Sequence, residues 1–305
     1  MKISELERYR KENGYIDIDE LEKEHVISKI PEPRGASNKE KDWLELEDGD
    51  ILIRTENLFD EGVIYSTYAE LIFEELAKQV NIPTAHYDLV TYKGKKGVLS
   101  VNVLDKEECL VSMMDILDCS NRMHDVGDSQ NIHIKDAIRS FRTFYKEYGE
   151  FSKEDYVKLC NDFLNMAIFD IYAISTDRHA ENCAVLYDGK NVRLSPMFDN
   201  EQSLLLDLPK DAMENLISNP SKIQKRIDLE YPRIYYTYEE EDYGEYNVEN
   251  NDLDKLLSGI IDDDFIEDAN WQNTICNIAE TGSEQMEFIQ RCNSSLNIRL
   301  CFKKC

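Results

Sequence analysis

Ser175-Thr176-Asp177-Arg178-His179-Ala180-Glu181-Asn182, then a short strand pair, then Ser195-Pro196-Met197-Phe198-Asp199-Asn200: this stretch decides how the chain reads. It follows a run over 153 to 175 in which Tyr156, Leu159, Cys160, Phe163, Ala167, Ile168 and Ile171 recur at i, i+3, i+4 spacing. That rhythm predicts a long, mostly buried helix. Residues 182 to 187 and 191 to 195 flank Asp188-Gly189 and predict a hairpin. A two-residue turn at 188 and 189 sets Asn182 opposite Ser195, and leaves Asp199 on the same face but ~13 Å further along. A four-residue loop over Gly189 to Val192, or a bend at Ser195-Pro196, brings Asp199 back toward Asn182.

Asp177 and Asn182 lie five apart, and the hairpin then delivers a second carboxylate, Asp199. Protein kinases use this interval and order for the catalytic Asp, the Asn that ligates magnesium and a second metal-binding Asp. Transfer of a phosphoryl group asks the protein for positioning and charge neutralisation more than for covalent chemistry. Asp and Asn oxygens suit Mg²⁺, a hard cation that leaves places for phosphate oxygens and water. Taken singly, Asp177 caps a loop, Asn182 starts a strand and Asp199 begins a turn. Their joint order after a long helix carries the functional reading. His179, two residues past Asp177, reads as a residue that orients the loop by a hydrogen bond, or as a packed loop histidine, and not as a base.

Upstream, Trp43 to Glu47 and Asp50 to Arg54 surround Asp48-Gly49 and predict another hairpin, whose turn sets Arg54 opposite Trp43 with Lys41 and Lys39 on the same face. Leu71, Ile72, Glu75, Leu76 and Val80 predict a helix over 66 to 80, stopped at Asn81-Ile82-Pro83. Strands are expected over 86 to 92 and 95 to 103, separated by Lys93-Gly94, and helices from Asn131 onward, at 132 to 148, 153 to 175 and past 208. Ser4 and Glu7 in capping-box spacing predict a first helix over 5 to 13. The expected fold class is α+β and two-lobed: a small sheet-rich N-lobe over 1 to 103 and a larger, mainly helical C-lobe over 104 to 305.

The 305 residues hold 62 acidic against 35 basic side chains, a net charge of −27 whose field repels phosphate backbones. Direct nucleic-acid binding is not expected. Hydrophobic residues at 42% supply a core that a disordered chain of this charge lacks. No segment approaches the ~18 apolar residues of a membrane span, and MKISELERYRKENG has no apolar signal core. Eight cysteines form no CxxC pair, mostly lie in helical-looking text and read as buried reduced thiols, so a cytoplasmic protein is expected. Residues 239 to 268 carry 13 acidic residues and one lysine, the pattern of a solvated acidic loop or a docking surface for a basic partner.

The Thr176–Asn182 loop, the Leu194–Asp199 segment and, more loosely, Gly35 through Val103 resemble the HipA-like serine/threonine kinases, in particular the short CtkA-type members without the amino-terminal subdomain. The resemblance covers about 31 to 205. It implies a two-lobed kinase-like fold and an ATP- and Mg²⁺-dependent transfer of phosphate to a protein hydroxyl. It further implies Asp177 as catalytic base, and Asn182 and Asp199 as metal ligands. A phosphate loop would run from Gly35, Ala36 and Ser37 to Lys39 and Lys41, with Ser37 either a self-phosphorylation site or a solvated turn serine. Ser100, Val101, Asn102 and Val103 would present backbone to adenine. Arg54 stands where the family carries an ATP-binding lysine, with Glu70 as its ion-pair partner; arginine is not a neutral replacement there. Several family members are toxins, so an antitoxin or regulatory protein is an implied partner. A nucleotide-binding pseudokinase module and a small-molecule or lipid kinase are the alternatives.

Overall fold

A computed structural model of the chain describes residues 1–25, 27–30, 41–55, 66–105, 107–120, 132–148, 152–227 and 234–235. The acidic stretch 239 to 268, the phosphate-loop residues Gly35, Ala36, Ser37 and Lys39, and four of the cysteines lie outside these residues. The chain opens on a 3₁₀ helix, Ile3–Tyr9, in place of the expected helix over 5 to 13. Glu5, not Glu7, takes up the Lys2 N–H at 2.9 Å. Glu7 is drawn instead to the Arg10 guanidinium at 2.6 and 2.7 Å.

There follow β1 (Ile16–Asp17), α1 (Ile18–Glu24), β2 (Ser28–Ile30), β3 (Lys41–Glu45), β4 (Asp50–Thr55), α2 (Ser66–Gln79), β5 (Tyr87–Tyr92) and β6 (Lys95–Val101). Then come β7 (Cys109–Ser112), α3 (Met113–Cys119), β8 (Ile132–His133), α4 (Ile134–Tyr148), α5 (Lys153–Tyr172), β9 (Ala184–Tyr187), β10 (Val192–Leu194), α6 (Lys210–Ser218), α7 (Ser221–Ile227) and β11 (Ile234–Tyr235). This is a mixed α+β fold. Strands β1 to β6 form one sheet in the order β1-β5-β6-β4-β3-β2. Only the β1–β5 pair in it is parallel. A smaller sheet runs β10-β9-β7, and β8 pairs with β11.

Strand alternation divides the large sheet's two faces between two jobs. Leu44, Ile51, Ile53 and Leu99 point one way and bury against Leu6, Tyr9, Ile16, Ile18 and Leu21. The opposite face carries Lys41, Trp43, Leu52, Arg54, Val98 and Ser100, as cross-strand pairing dictates. Helix α2 lies between β4 and β5 in sequence, yet its apolar side joins the helical core: Phe73 packs edge-on to Phe169 of α5 at 5.0 Å, and Phe141 of α4 to Phe163 at 5.5 Å. Its acidic residues Glu70 and Glu74, both nearly inaccessible, are thereby brought to the strands.

The β5–β6 hairpin turns at Lys93-Gly94 as expected, with Tyr92 opposite Lys95, but the other two hairpins depart from the expected register by one step of the turn. Lys41, not Trp43, lies opposite Arg54, because Leu46 closes on Gly49 at 3.0 Å and the turn centres on Glu47-Asp48. In the second hairpin Val192 pairs with Tyr187 and Leu194 with Val185, so Gly189-Lys190 is the turn centre and neither of the two expected loops forms. Asp188 sets it: its carboxylate accepts the N–H groups of Asn191 and Lys190 at 2.6 and 2.8 Å, which hold its pKa at about 2. Gly189, at φ +89°, supplies the left-handed turn residue.

Elements β7 and α3 lie upstream of the point where the sequence texture turns helical. A four-residue strand owes its identity to a distant partner, here β9. The helix does carry a readable signal, Ser112 capping the Asp115 N–H at 3.0 Å. The cysteines also depart from expectation: Cys109 and Cys119 are exposed, Cys160 is half-buried and Cys183 buried. Burial pushes the Cys160 and Cys183 thiols up to about 12.

Candidate active site

The long helix α5 brings one carboxylate into the apolar interior, and that carboxylate organises the loops above it. Asp170 is 1% exposed and receives the Arg178 guanidinium at 3.1 and 3.3 Å. The Ser175 N–H closes the helix end on the Asp170 carbonyl at 2.8 Å, through Ile174 at φ +51°. Arg178, equally buried, spends its remaining donors on both segments of the motif. It donates to the Asn182 carbonyl at 3.0 Å, to the Phe198 carbonyl at 2.7 Å and to Asn200 Oδ1. One forked cation thus holds Asn182 and the residues flanking Asp199 within reach of a single group, a geometry suited to arginine and not to lysine.

Within the loop, Asn182 donates its amide to the Asp177 carbonyl at 2.9 Å, which turns Asn182 Oδ1 away from that contact. The Asp177 carboxylate accepts Gln202 Nε2 at 2.9 Å, while the Gln202 carbonyl takes the Thr176 N–H at 3.0 Å. His179 Nδ1 accepts the Glu181 N–H at 3.2 Å, and its Nε2 stands 4.0 Å from Asp177 Oδ1. Its bonds are those of a residue that shapes the loop.

From the sheet side, Arg54 meets three carboxylates. It pairs with Glu70 of α2, with Asp199 at 2.6 Å and with Glu201 at 3.4 Å. Burial pulls the guanidinium pKa down, but the carboxylates of Glu70, Asp199 and Glu201 outweigh it and raise it above the ordinary arginine value. Glu70 also accepts the Asn200 N–H at 2.9 Å. The Tyr87 hydroxyl accepts the Asp199 N–H at 3.1 Å and the Asn200 amide at 3.2 Å. Burial, reinforced by Glu70, drives the Tyr87 phenol well above its usual pKa, so it stays protonated. Asp199 itself sits at φ +55°, a left-handed conformation unusual for a residue other than glycine.

The segment Ser100 to Val103 leaves β6 with two of its donors committed: Val101 N–H to the His86 carbonyl and Asn102 N–H to the Asp50 carbonyl, both at 2.9 Å. Lys41 is partly exposed on the Arg54 face. Sequence reasoning passed over Arg178 as a working residue, along with Asp170, Tyr87, Asn200, Glu201 and Gln202. Only Asp170 carried a signal, as the charge that interrupts the apolar run Met166 to Ile174.

Among the described residues, no group of three His, Cys, Asp or Glu side chains is disposed to hold a metal ion. A cation bound at this loop would have one carboxylate, Asp199, and one amide oxygen, Asn182, to draw on, with other oxygens supplied by a ligand. That donor set fits magnesium carried on a phosphate chain. The buried Arg54 Nε, without a hydrogen-bond partner among the described residues, leaves one donor for an anion beside them.

The family profile for the HipA-like C-terminal domain matches residues 16–246. Among solved structures, the chain is similar to the proinflammatory kinase CtkA of Helicobacter pylori at 15% identity and a TM-score of 0.59, covering 94% of this chain and 100% of that one. It also matches HipA of Shewanella oneidensis MR-1, crystallised with HipB and its operator DNA, at 14% identity and a TM-score of 0.37, over 69% of this chain and 62% of the other. Comparison with curated protein sequences finds no match.

Proposed function

The chain belongs to the HipA-like C-terminal domain family, and from that premise we propose that it is a two-lobed protein kinase, transferring the γ-phosphoryl group of ATP to a serine or threonine hydroxyl. The observation that carries this reading is the Arg178 guanidinium, which ties the Asn182 carbonyl to the Phe198 carbonyl and so sets Asn182 and Asp199 beside the Asp177 loop. Asp177 accepts or orients the proton of the attacking hydroxyl, its rotamer held by Gln202. His179 positions that loop. Asn182 Oδ1 and the Asp199 carboxylate would hold Mg²⁺, which would supply charge neutralisation at the phosphate oxygens. The sheet-rich lobe, residues 1–103, contributes Arg54, Glu70 and Lys41, and the phosphate loop Gly35, Ala36, Ser37 and Lys39. With Val101 and Asn102 N–H already engaged, the Val103 N–H is the backbone donor that the Ser100–Val103 segment has to offer adenine.

Transfer of ³²P from labelled ATP to the protein itself or to a lysate tests this. Asp177→Ala and Asp199→Ala are each expected to abolish labelling while the far-UV circular dichroism stays native; labelling that survives in both variants overturns the assignment. A cytosolic setting and a protein partner of the antitoxin kind belong to the same reading. Affinity capture of the full chain from its own cell is expected to bring such a partner down.

A second reading, a nucleotide-binding pseudokinase module, is favoured by one feature: Arg54 is already surrounded by three carboxylates. Calorimetry showing Mg·ATP binding without turnover, together with activity created by Arg54→Lys, decides for it.

A further inference from the structure

Arg54 divides its guanidinium unevenly. Nη2 serves Glu70, whereas Nη1 is shared by two carboxylates, Asp199 at 2.6 Å and Glu201 at 3.4 Å. The longer contact lies at the outer edge of hydrogen bonding, so Asp199 holds the nitrogen and Glu201 stands next in line for it. The two carboxylates converge because the residue between them is pinned. Asn200, 1% exposed, gives its N–H to Glu70 at 2.9 Å and its amide to the Tyr87 hydroxyl at 3.2 Å, and takes the Arg178 guanidinium on Oδ1. With Asn200 fixed, Asp199 and Glu201 redistribute around Arg54 by turning their side chains. Their exposures differ: the Asp199 side chain is 33% accessible, that of Glu201 19% and that of Arg54 9%. Asp199 therefore looks toward the side from which a ligand arrives, and Glu201 sits deeper, beside the guanidinium.

This arrangement bears on cation binding. Asp199 Oδ1 is committed to Arg54, and a carboxylate that turns to a cation has to release Nη1. A guanidinium this buried is costly to leave with an unpaired donor. Arg54 already has one, since Nε has no hydrogen-bond partner among the described residues. Glu201 stands where it can prevent a second, because closing by about half an ångström makes its contact with Nη1 a full hydrogen bond. Glu70 meanwhile keeps Nη2 and holds the guanidinium in place. We propose that Glu201 is a positioning residue for metal uptake: it takes over Arg54 Nη1 when Asp199 turns to a divalent cation. The three carboxylates around Arg54 are then a means of exchange and not a blocked site. This rests on the kinase reading above, in which Asp199 is a metal ligand, and deepens it. The rival account, that Glu201 merely adds negative charge near the cation, requires its charge but not its reach.

Two substitutions in the full-length chain separate reach from charge. Glu201→Asp keeps the charge and withdraws the carboxylate by one methylene, whereas Glu201→Gln gives up the charge and keeps an acceptor at the same reach. Far-UV circular dichroism is expected to stay native in both, since Arg54 retains Glu70 and Asp199. The readout is the ratio of two affinities measured by calorimetry on the same protein, ATP with Mg²⁺ against ATP in EDTA, so that any loss common to both cancels. Mg²⁺ is expected to tighten ATP binding by the wild type. Glu201→Asp is expected to cut that gain by roughly 10- to 100-fold, what one hydrogen bond to a charged group is worth, and Glu201→Gln to cut it less. Any other order of the three proteins overturns the exchange: a gain kept in Glu201→Asp but lost in Glu201→Gln means that charge alone matters, and equal gains or equal losses mean that reach does not. In each of these cases the kinase reading stands. If Mg²⁺ brings the wild type no gain, Asp199 is not a metal ligand and both readings fall together.

Discussion

Arg178 shows how much one side chain settles. A guanidinium 1% exposed is expensive to desolvate, and the cost is met because every neighbour accepts a hydrogen bond: the Asp170 carboxylate, two carbonyls and an amide oxygen. Truncation removes all of these at once and strands the buried Asp170. Arg178→Ala is therefore expected to lower stability by about 3–5 kcal/mol, read as a shifted urea midpoint. Arg178→Lys keeps the charge but loses the fork, so it is expected to recover part of the stability and little of any activity. A wild-type midpoint in Arg178→Ala contradicts the account. The sequence shows Asp170 and Arg178 but not their meeting, since a polar break in an apolar run reveals a need for a partner without naming it.

At the scale of elements, β6 exposes a constraint that composition hides. A Cβ added at Gly97 would sit 2.1 Å from the Arg54 carbonyl, a backbone atom that moves only with its strand. Gly97→Ala is expected to cost on the order of 1–3 kcal/mol and to disturb the Arg54 ion pairs, measured as a lower urea midpoint. Helix α2 is fastened to β5 by Glu74, which accepts the Tyr87 N–H and His86 Nδ1, both at 2.9 Å. The Glu74 bond raises the His86 pKa. For Glu74, burial works upward but the bonds from His86, Lys78 and Tyr87 prevail and lower it. A raised histidine contributes stability below its unfolded pKa of about 6.5 and loses it as pH climbs through the folded value. A depressed carboxylate contributes above about 4.5 and loses it as pH falls. The pair thus acts most between those limits. Melting temperatures from pH 6 to 8 are expected to fall more for the wild type than for His86→Gln; parallel curves remove the pair from consideration.

At the scale of the molecule, sequence reading succeeded where the determinants are local and lagged where they are not. Periodicity located α2, α4 and α5, and turn residues located three hairpins, that of β5–β6 in its true register. The turn centres of the other two were missed by one position because Asp188 and Leu46 choose them through specific bonds. Asp177, Asn182 and Asp199, the residues of the proposed site, stand out in the sequence through their order, while Gln202 and Tyr87 do not, being supplied by segments whose own text gives no sign of them. Nor does the sequence reveal that the apolar interior comes in separate pieces. Leu21 and Ile18 bury on the outer face of the sheet, whereas Phe163 and Phe169 belong to the helical cluster. Between the two lie a small third cluster, Ala85, Tyr87 and Val98 with Phe198 against it, and a polar seam: Arg54 to Asp199, Asn200 to Glu70, and the backbone exchange of Ala85 and Met197 with Met197 and Pro83 at 2.8 and 2.9 Å. Polar contacts of this kind transmit less cooperativity than a continuous core, so the two clusters should open as distinct units. Native-state hydrogen exchange checks this. Leu21→Ala is expected to speed exchange in β3 to β6 and spare α4 and α5, and Phe163→Ala to do the reverse, each at about 2–5 kcal/mol of local stability. If either variant loosens both sets of amides alike, the seam is no boundary and the protein unfolds as one body.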